Sequence, residues 1–109
     1  MIIGVPDSKL KKWMEDKDYI KATDEGEAVA IGVGHYLATG KPATVFMGGN
    51  GLFNALDAIT SLVIPYDIPI KLIIGLRTDV FQHKIAGNTV KKIIDIIYAK
   101  GTRDIKFIK

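Results

Sequence analysis

The chain has 109 residues, 48% hydrophobic and 25% charged, with a net charge of +3 and no cysteine. That length bounds it to a single domain, residues 1–109, able to bury roughly 65% of its unfolded surface without cross-links. The missing cysteine excludes disulfides, thiolate metal sites and a thiol nucleophile, and fits a cytoplasmic protein.

Apolar runs alternate with stretches of helical period. Met1 to Val5 reads as a short buried strand, broken by Pro6-Asp7-Ser8. Asp7 or Ser8 can cap a helix to about Glu15, because short polar side chains accept the orphan amide protons of a first turn. Tyr19 to Thr23 reads as a second strand. A helix rich in small residues follows from Glu25 to Thr39, stopped by Gly40 with Pro42 just beyond. Ala43 to Met47 is a third strand. It leads through Gly48-Gly49-Asn50-Gly51 into a helix to about Val63, ended by Pro65. Ile68 to Leu76 is the most apolar run, and its β-branched content predicts a central strand covered on both faces. Arg77 to Gly87 reads as a polar loop. Asn88 to Lys100 carries a buried stripe of Val90, Ile93, Ile94, Ile97 and Tyr98, a helical pattern. Ile105 to Ile108 is a candidate last strand. The alternation predicts an α/β fold: three αβα layers around a mostly parallel sheet of about five or six strands.

Ligands of such folds gather at the carboxyl ends of the strands. Pro6-Asp7-Ser8, Asp24-Glu25-Gly26, Gly48 to Gly51 and Arg77 to His83 converge there. The glycine-rich turn lets a ligand approach a helix N-terminus closely, although a tight strand-to-helix turn wants glycine in any case. Neither the dinucleotide spacing nor the Walker pattern is met, since Asn54 stands three past Gly51 and no Gly-Lys-Ser/Thr follows. Glu25 and Glu27 suit the positive end of a helix dipole without any further role. His35 lies mid-helix, and His83 lies in the loop at the ligand edge. Two histidines in separate elements do not make a zinc site. No apolar run reaches the roughly 18–20 residues of a membrane span, and residues 1–8 lack a signal-peptide pattern. Lys9, Lys11, Lys12, Lys91, Lys92, Lys106 and Lys109 are scattered without interleaved aromatics, as on a solvated basic face rather than a nucleic-acid platform.

Several motifs nevertheless occur in a familiar order. Gly4-Val5-Pro6-Asp7-Ser8-Lys9-Leu10, Asp24-Glu25-Gly26-Glu27-Ala28-Val29-Ala30 and Tyr36-Leu37-Ala38-Thr39-Gly40-Lys41 resemble the pyrimidine-binding domain of the sulfopyruvate and phosphonopyruvate decarboxylases. Ser61-Leu62, Tyr66-Asp67-Ile68-Pro69 and Phe81-Gln82-His83 continue the match over most of the chain. The resemblance implies the thiamine-diphosphate-binding fold. It also implies that Glu25 hydrogen-bonds N1′ of the cofactor's aminopyrimidine and so activates it. Gly49-Asn50-Gly51-Leu52-Phe53-Asn54 is similar to the loop that packs under the pyrimidine ring, so Gly49, Asn50, Gly51 and Asn54 are implied as cofactor-binding. Asp7 and Ser8, with Gln82 and His83, fall on the substrate side, and Arg77 or Lys84 is a candidate to steer an anionic substrate end.

There are two departures. The decarboxylases carry Met-Gln-Asn-Ser-Gly where this chain has Met47-Gly48-Gly49-Asn50-Gly51, and they carry a helix before the first strand. The sequence contains no Gly-Asp-Gly for Mg²⁺ and diphosphate. The resemblance therefore implies a diphosphate-domain (beta) partner that binds Mg²⁺, within a homo- or hetero-oligomer, and an alpha-type subunit inactive alone. The substrate implied is a small anionic 2-oxo acid. Another thiamine-diphosphate lyase or synthase, or an inactive pyrimidine-type binding domain, are the alternatives. In the helix from Glu25, Ala28 with Gly32 and Ala30 with Gly34 form two flat strips, one for the sheet and one for a partner helix.

Overall fold

Short aliphatic and β-branched segments separated by helices can bury both faces only by pairing in parallel, with the helices crossing over the sheet. The computed structural model, which describes residues 1–79, 81–98 and 104–109, has this arrangement. Strands β1 (Ile2–Gly4), β2 (Ile20–Lys21), β3 (Ala43–Gly48), β4 (Ile70–Gly75) and β5 (Asp104–Ile108) form one sheet in the order β2-β1-β3-β4-β5. Every neighbouring pair is parallel.

The two faces differ. Ile3, Val45, Met47, Leu72 and Ile74 share the larger core with Ala28, Val29 and Val33 of α2 (Glu25–Thr39), which follows the short α1 (Lys11–Met14). Leu52 and Ala55 of α3 (Leu52–Ala58) and Val90 and Ile94 of α4 (Lys84–Ile97) complete it. The alternate residues Phe46 and Ile73 lie on the other face under Leu10, Trp13 and Met14. There Phe46 meets Tyr19 edge-on at 5.1 Å and Trp13 at 5.6 Å. Three helices thus cover one face, and α1 is the only helix on the second among the described residues. The expected three layers are present, but one is thin.

Most elements fall where the pattern puts them. Asp24 caps α2 by accepting the Glu27 amide at 2.9 Å. Gly40 closes it in the left-handed conformation at φ 72°, which glycine adopts without steric cost. Other boundaries move. The helix expected from Asp7 or Ser8 to Glu15 is a 3-10 turn, Ser8–Leu10, followed by the single turn of α1. The second strand shrinks from Tyr19–Thr23 to two residues. The helix expected to run to Val63 widens into a π-helical turn over Ile59–Val63, which keeps both Ile59 and Val63 buried. The loop expected to reach Gly87 ends earlier: a 3-10 turn, Phe81–His83, passes directly into α4. The far end expected for that helix, Ala99 and Lys100, lies outside the described residues.

The two small-residue strips of α2 separate cleanly. Gly32 is buried, and a Cβ there would sit 3.1 Å from both Ile70 and Val45 and 3.3 Å from Ala43. Ala30 and Gly34 are exposed, with open space where a Gly34 Cβ would point. Ala28 and Gly32 therefore pack on the sheet, and the other strip faces outward.

Candidate functional site

All the strands run the same way, so the loops after β1, β3 and β4 share one edge with the start of α2. Glycines govern how closely these loops approach. Gly48 and Gly75 are partners in the β3–β4 register. The turn after β1 lies across both: a Cβ on Gly48 would be 2.6 Å from Asp7 Oδ1, and one on Gly75 would be 3.1 Å from Lys9 and 3.2 Å from Asp7 Oδ2. The Asp7 carboxylate caps its own turn, accepting the Lys9 amide at 3.0 Å. Side chains on these two strand ends would push the turn off the sheet.

Glu25 begins α2 and is half-buried. Its carboxylate lies on Gly51, where a Cβ would be 2.7 Å from its carboxyl carbon and 2.8 Å from Oε1. Asn54 Nδ2 donates to Glu25 Oε1 over a long 3.5 Å. Among the described residues no other hydrogen bond or ion pair engages Glu25, so Oε2 has no partner there. Glu27 points elsewhere and accepts the Thr23 amide at 2.9 Å, a helix-start contact.

The remaining candidates divide. Asn50 and Asn54 are exposed at the strand edge, with Asn50 Oδ1 3.2 Å from where a Gly48 Cβ would stand. Gly49 faces inward: its Cβ position is bounded by the Gly75 carbonyl at 3.0 Å and Val90 of α4 at 3.4 Å. Ser8 is exposed and accepts a hydrogen bond from Arg77 Nη2. Gln82 and the half-buried His83 lie in the 3-10 turn before α4, and no hydrogen bond joins them to the other candidates among the described residues. His35 stays on the middle of α2, away from the strand ends. No group of three or more His, Asp or Glu residues is placed to hold a metal ion among the described residues, and no helix there is long and apolar enough to cross a membrane.

Three features of the site escaped the sequence reading. Gly75 was legible only as the end of a strand, because its closeness to Asp7 depends on register with Gly48. The Arg77–Ser8 bond joins residues 69 apart, which no local pattern signals. Lys9 Nζ lies 4.0 Å from Asp79 on the same edge, an exposed and loose pair.

The arrangement offers a partly sheltered carboxylate beside a close glycine turn at one end of the edge. The same edge carries a hydroxyl and a guanidinium, those of Ser8 and Arg77. No family model matches the chain. It is similar to sulfopyruvate decarboxylase subunit alpha of Methanocaldococcus jannaschii, 37% identical over 105 residues, covering 87% of this chain and 62% of that protein. The protein of the same name from Methanococcus maripaludis is 35% identical over 107 residues, covering 88% of this chain and 63% of that protein. The chain thus spans about three fifths of the length of the curated relatives it matches. The likeness carried by the motifs extends over most of the chain.

Proposed function

We propose that the chain is an alpha-type subunit of a thiamine-diphosphate-dependent 2-oxo acid decarboxylase, with Glu25 activating the cofactor. The observation that carries this reading is the Glu25 carboxylate, laid on Gly51 with Oε1 toward Asn54 and Oε2 without a partner among the described residues. An aminopyrimidine asks a protein for one carboxylate able to share a proton with a ring nitrogen, beside backbone that permits close approach. Glu25 and the turn ending at Gly51 fit both requirements. The relatives' name supports a sulfopyruvate-type substrate, and a phosphonopyruvate-type acid likewise has an anionic tail.

When bound, the cofactor supplies the electron sink that a 2-oxo acid needs in order to lose CO₂. The chain's own residues do the rest of the work at this half of the site. Glu25 would hold a proton at Oε2 against the pyrimidine N1′. Asn54 would fix the orientation of that carboxylate through Oε1, a contact that can tighten on binding. Gly51 leaves room for the Glu25 carboxylate, and Asn50 would contribute an amide on the rim. Asp7, Ser8, Gln82 and His83 would stand toward the substrate. Mg²⁺ and the diphosphate fall to a Gly-Asp-Gly-bearing beta subunit, since this sequence has no such segment.

The test is co-expression with a partner carrying that segment. Glu25→Gln should lower decarboxylation by about 10²- to 10⁴-fold, the range of a lost acid–base group, while calorimetry still detects bound thiamine diphosphate. An unchanged rate in the variant would remove Glu25 from the chemistry. Absence of cofactor binding by the wild-type pair would favour a binding or regulatory domain instead.

A further inference from the structure

We infer that Arg77, held by the Ser8 hydroxyl, is the anion-reading end of the substrate site and sets the preference for 2-oxo acids with a charged tail. The inference rests on the decarboxylase reading and goes beyond it by choosing the residue.

Three observations carry it. First, Arg77 Nη2 donates to Ser8 Oγ, and among the described residues no carboxylate pairs with the guanidinium. A guanidinium has five N–H donors in a planar fork, so one hydroxyl contact leaves a face suited to two oxygens of a sulfonate, phosphonate or carboxylate. Ser8 Oγ already accepts from Arg77, so its own proton is free to be donated to the same anion. Second, the carboxylate of the turn after β1 is engaged by its own turn. Asp7 accepts the Lys9 amide and sits over Gly48 and Gly75, and among the described residues it forms no ion pair with Arg77. Lys9 adds a second cation to this edge, with Asp79 only loosely opposite at 4.0 Å.

Third, the guanidinium is mounted on a fixed backbone. Gly87 of α4 is buried against the Arg77 carbonyl, and a Cβ there would overlap it. Lys84, the other candidate, is exposed on the first turn of α4 and makes no hydrogen bond or ion pair with the turn after β1 among the described residues. Ser8 follows β1 and Arg77 follows β4, so both lie on the strand edge that also holds the start of α2. A 2-oxo acid bound at this edge would present its charged tail to Arg77.

The experiment compares kcat/KM of the wild-type and Arg77→Gln alpha–beta pairs for two 2-oxo acids of similar size, one ending in a sulfonate and one uncharged. The ratio of anionic to uncharged kcat/KM should fall about 10- to 100-fold, as for a lost hydrogen-bonded charge contact, with the change carried by KM of the anionic substrate. Arg77→Lys should recover part of it, and Ser8→Ala should give a smaller fall in the same direction. An unchanged ratio, even with both activities reduced, overturns the assignment and leaves Arg77 a structural role. A second readout uses the 109-residue chain alone, titrated with sulfoacetate and followed by NMR. Saturable shifts at Ser8 and Arg77 that vanish in Arg77→Gln support the inference even if the pair decarboxylates nothing, whereas no shifts in the wild-type chain overturn it.

Discussion

Glu25 and Gly51 are matched by shape as well as by position. The carboxylate occupies the volume that any side chain at residue 51 would need, within 2.7 Å of the notional Cβ. Gly51→Ala must therefore move Glu25 while leaving its charge, its helix cap and its chemical identity intact. A misplacement of about 1 Å in a catalytic array can cost about 100-fold. Gly51→Ala in the alpha–beta pair is expected to lower kcat by about 10-fold or more with an unchanged circular dichroism spectrum. A wild-type kcat would mean that Glu25 is not held where the chemistry needs it. Gly48 has the same relation to Asp7, so a close side chain occupies the space beside the glycine at each end of the turn after β3. Glu25 itself was legible as a first-turn carboxylate, and only the surrounding motifs made it a candidate for the proposed role. Its contact with Asn54, 29 residues on, depends on how α2 and α3 pack.

At the level of elements, α2 shows what local sequence can state and what it leaves open. Its limits are written in the chain: Asp24 satisfies an orphan amide at the start, and Gly40 supplies a left-handed residue at the end. Its small-residue strips look alike in sequence, yet only Gly32 meets the sheet. Gly34→Ala should raise stability by about 0.8–1 kcal/mol, since it gains helix propensity and enters open space. Thermal unfolding would show this as a Tm higher by roughly 4–8 °C. Gly32→Ala gains the same propensity but must fit against atoms 3.1 Å away, so its Tm should lie below that of Gly34→Ala. Equal shifts would contradict the orientation of the helix. In α4 the sequence misled for an identifiable reason. His83 precedes the helix without a side-chain cap, and Gly87 sits inside it, so the local signals favour a loop. Packing of Gly87 on Arg77 and of Val90 and Ile94 in the core overrides them.

For the molecule as a whole, the parallel sheet gathers loops from distant parts of the chain onto one edge. One sheet face is backed by α2, α3 and α4, while the other has α1 alone among the described residues. That scaffold places the Glu25 carboxylate on the same edge, and the sequence has no Gly-Asp-Gly segment of the kind the proposed function assigns to a partner. The chain alone is therefore expected to show no decarboxylation of a sulfonated 2-oxo acid, and adding the beta partner with Mg²⁺ and thiamine diphosphate should restore it. Product formation by the chain alone would contradict the division of labour between the subunits. Alternation of strands and helices, the limits of α2 and the β3–Gly-rich turn–helix order were determined by the sequence alone, because caps, glycines and hydrophobic period act over a few residues. The strand order, the Gly48–Gly75 register, the choice between two equivalent strips and the union of Ser8 with Arg77 were decided only by the tertiary structure. Register and packing bring together residues that share no local pattern, so their meeting is written in the folded surface rather than in any short stretch of chain.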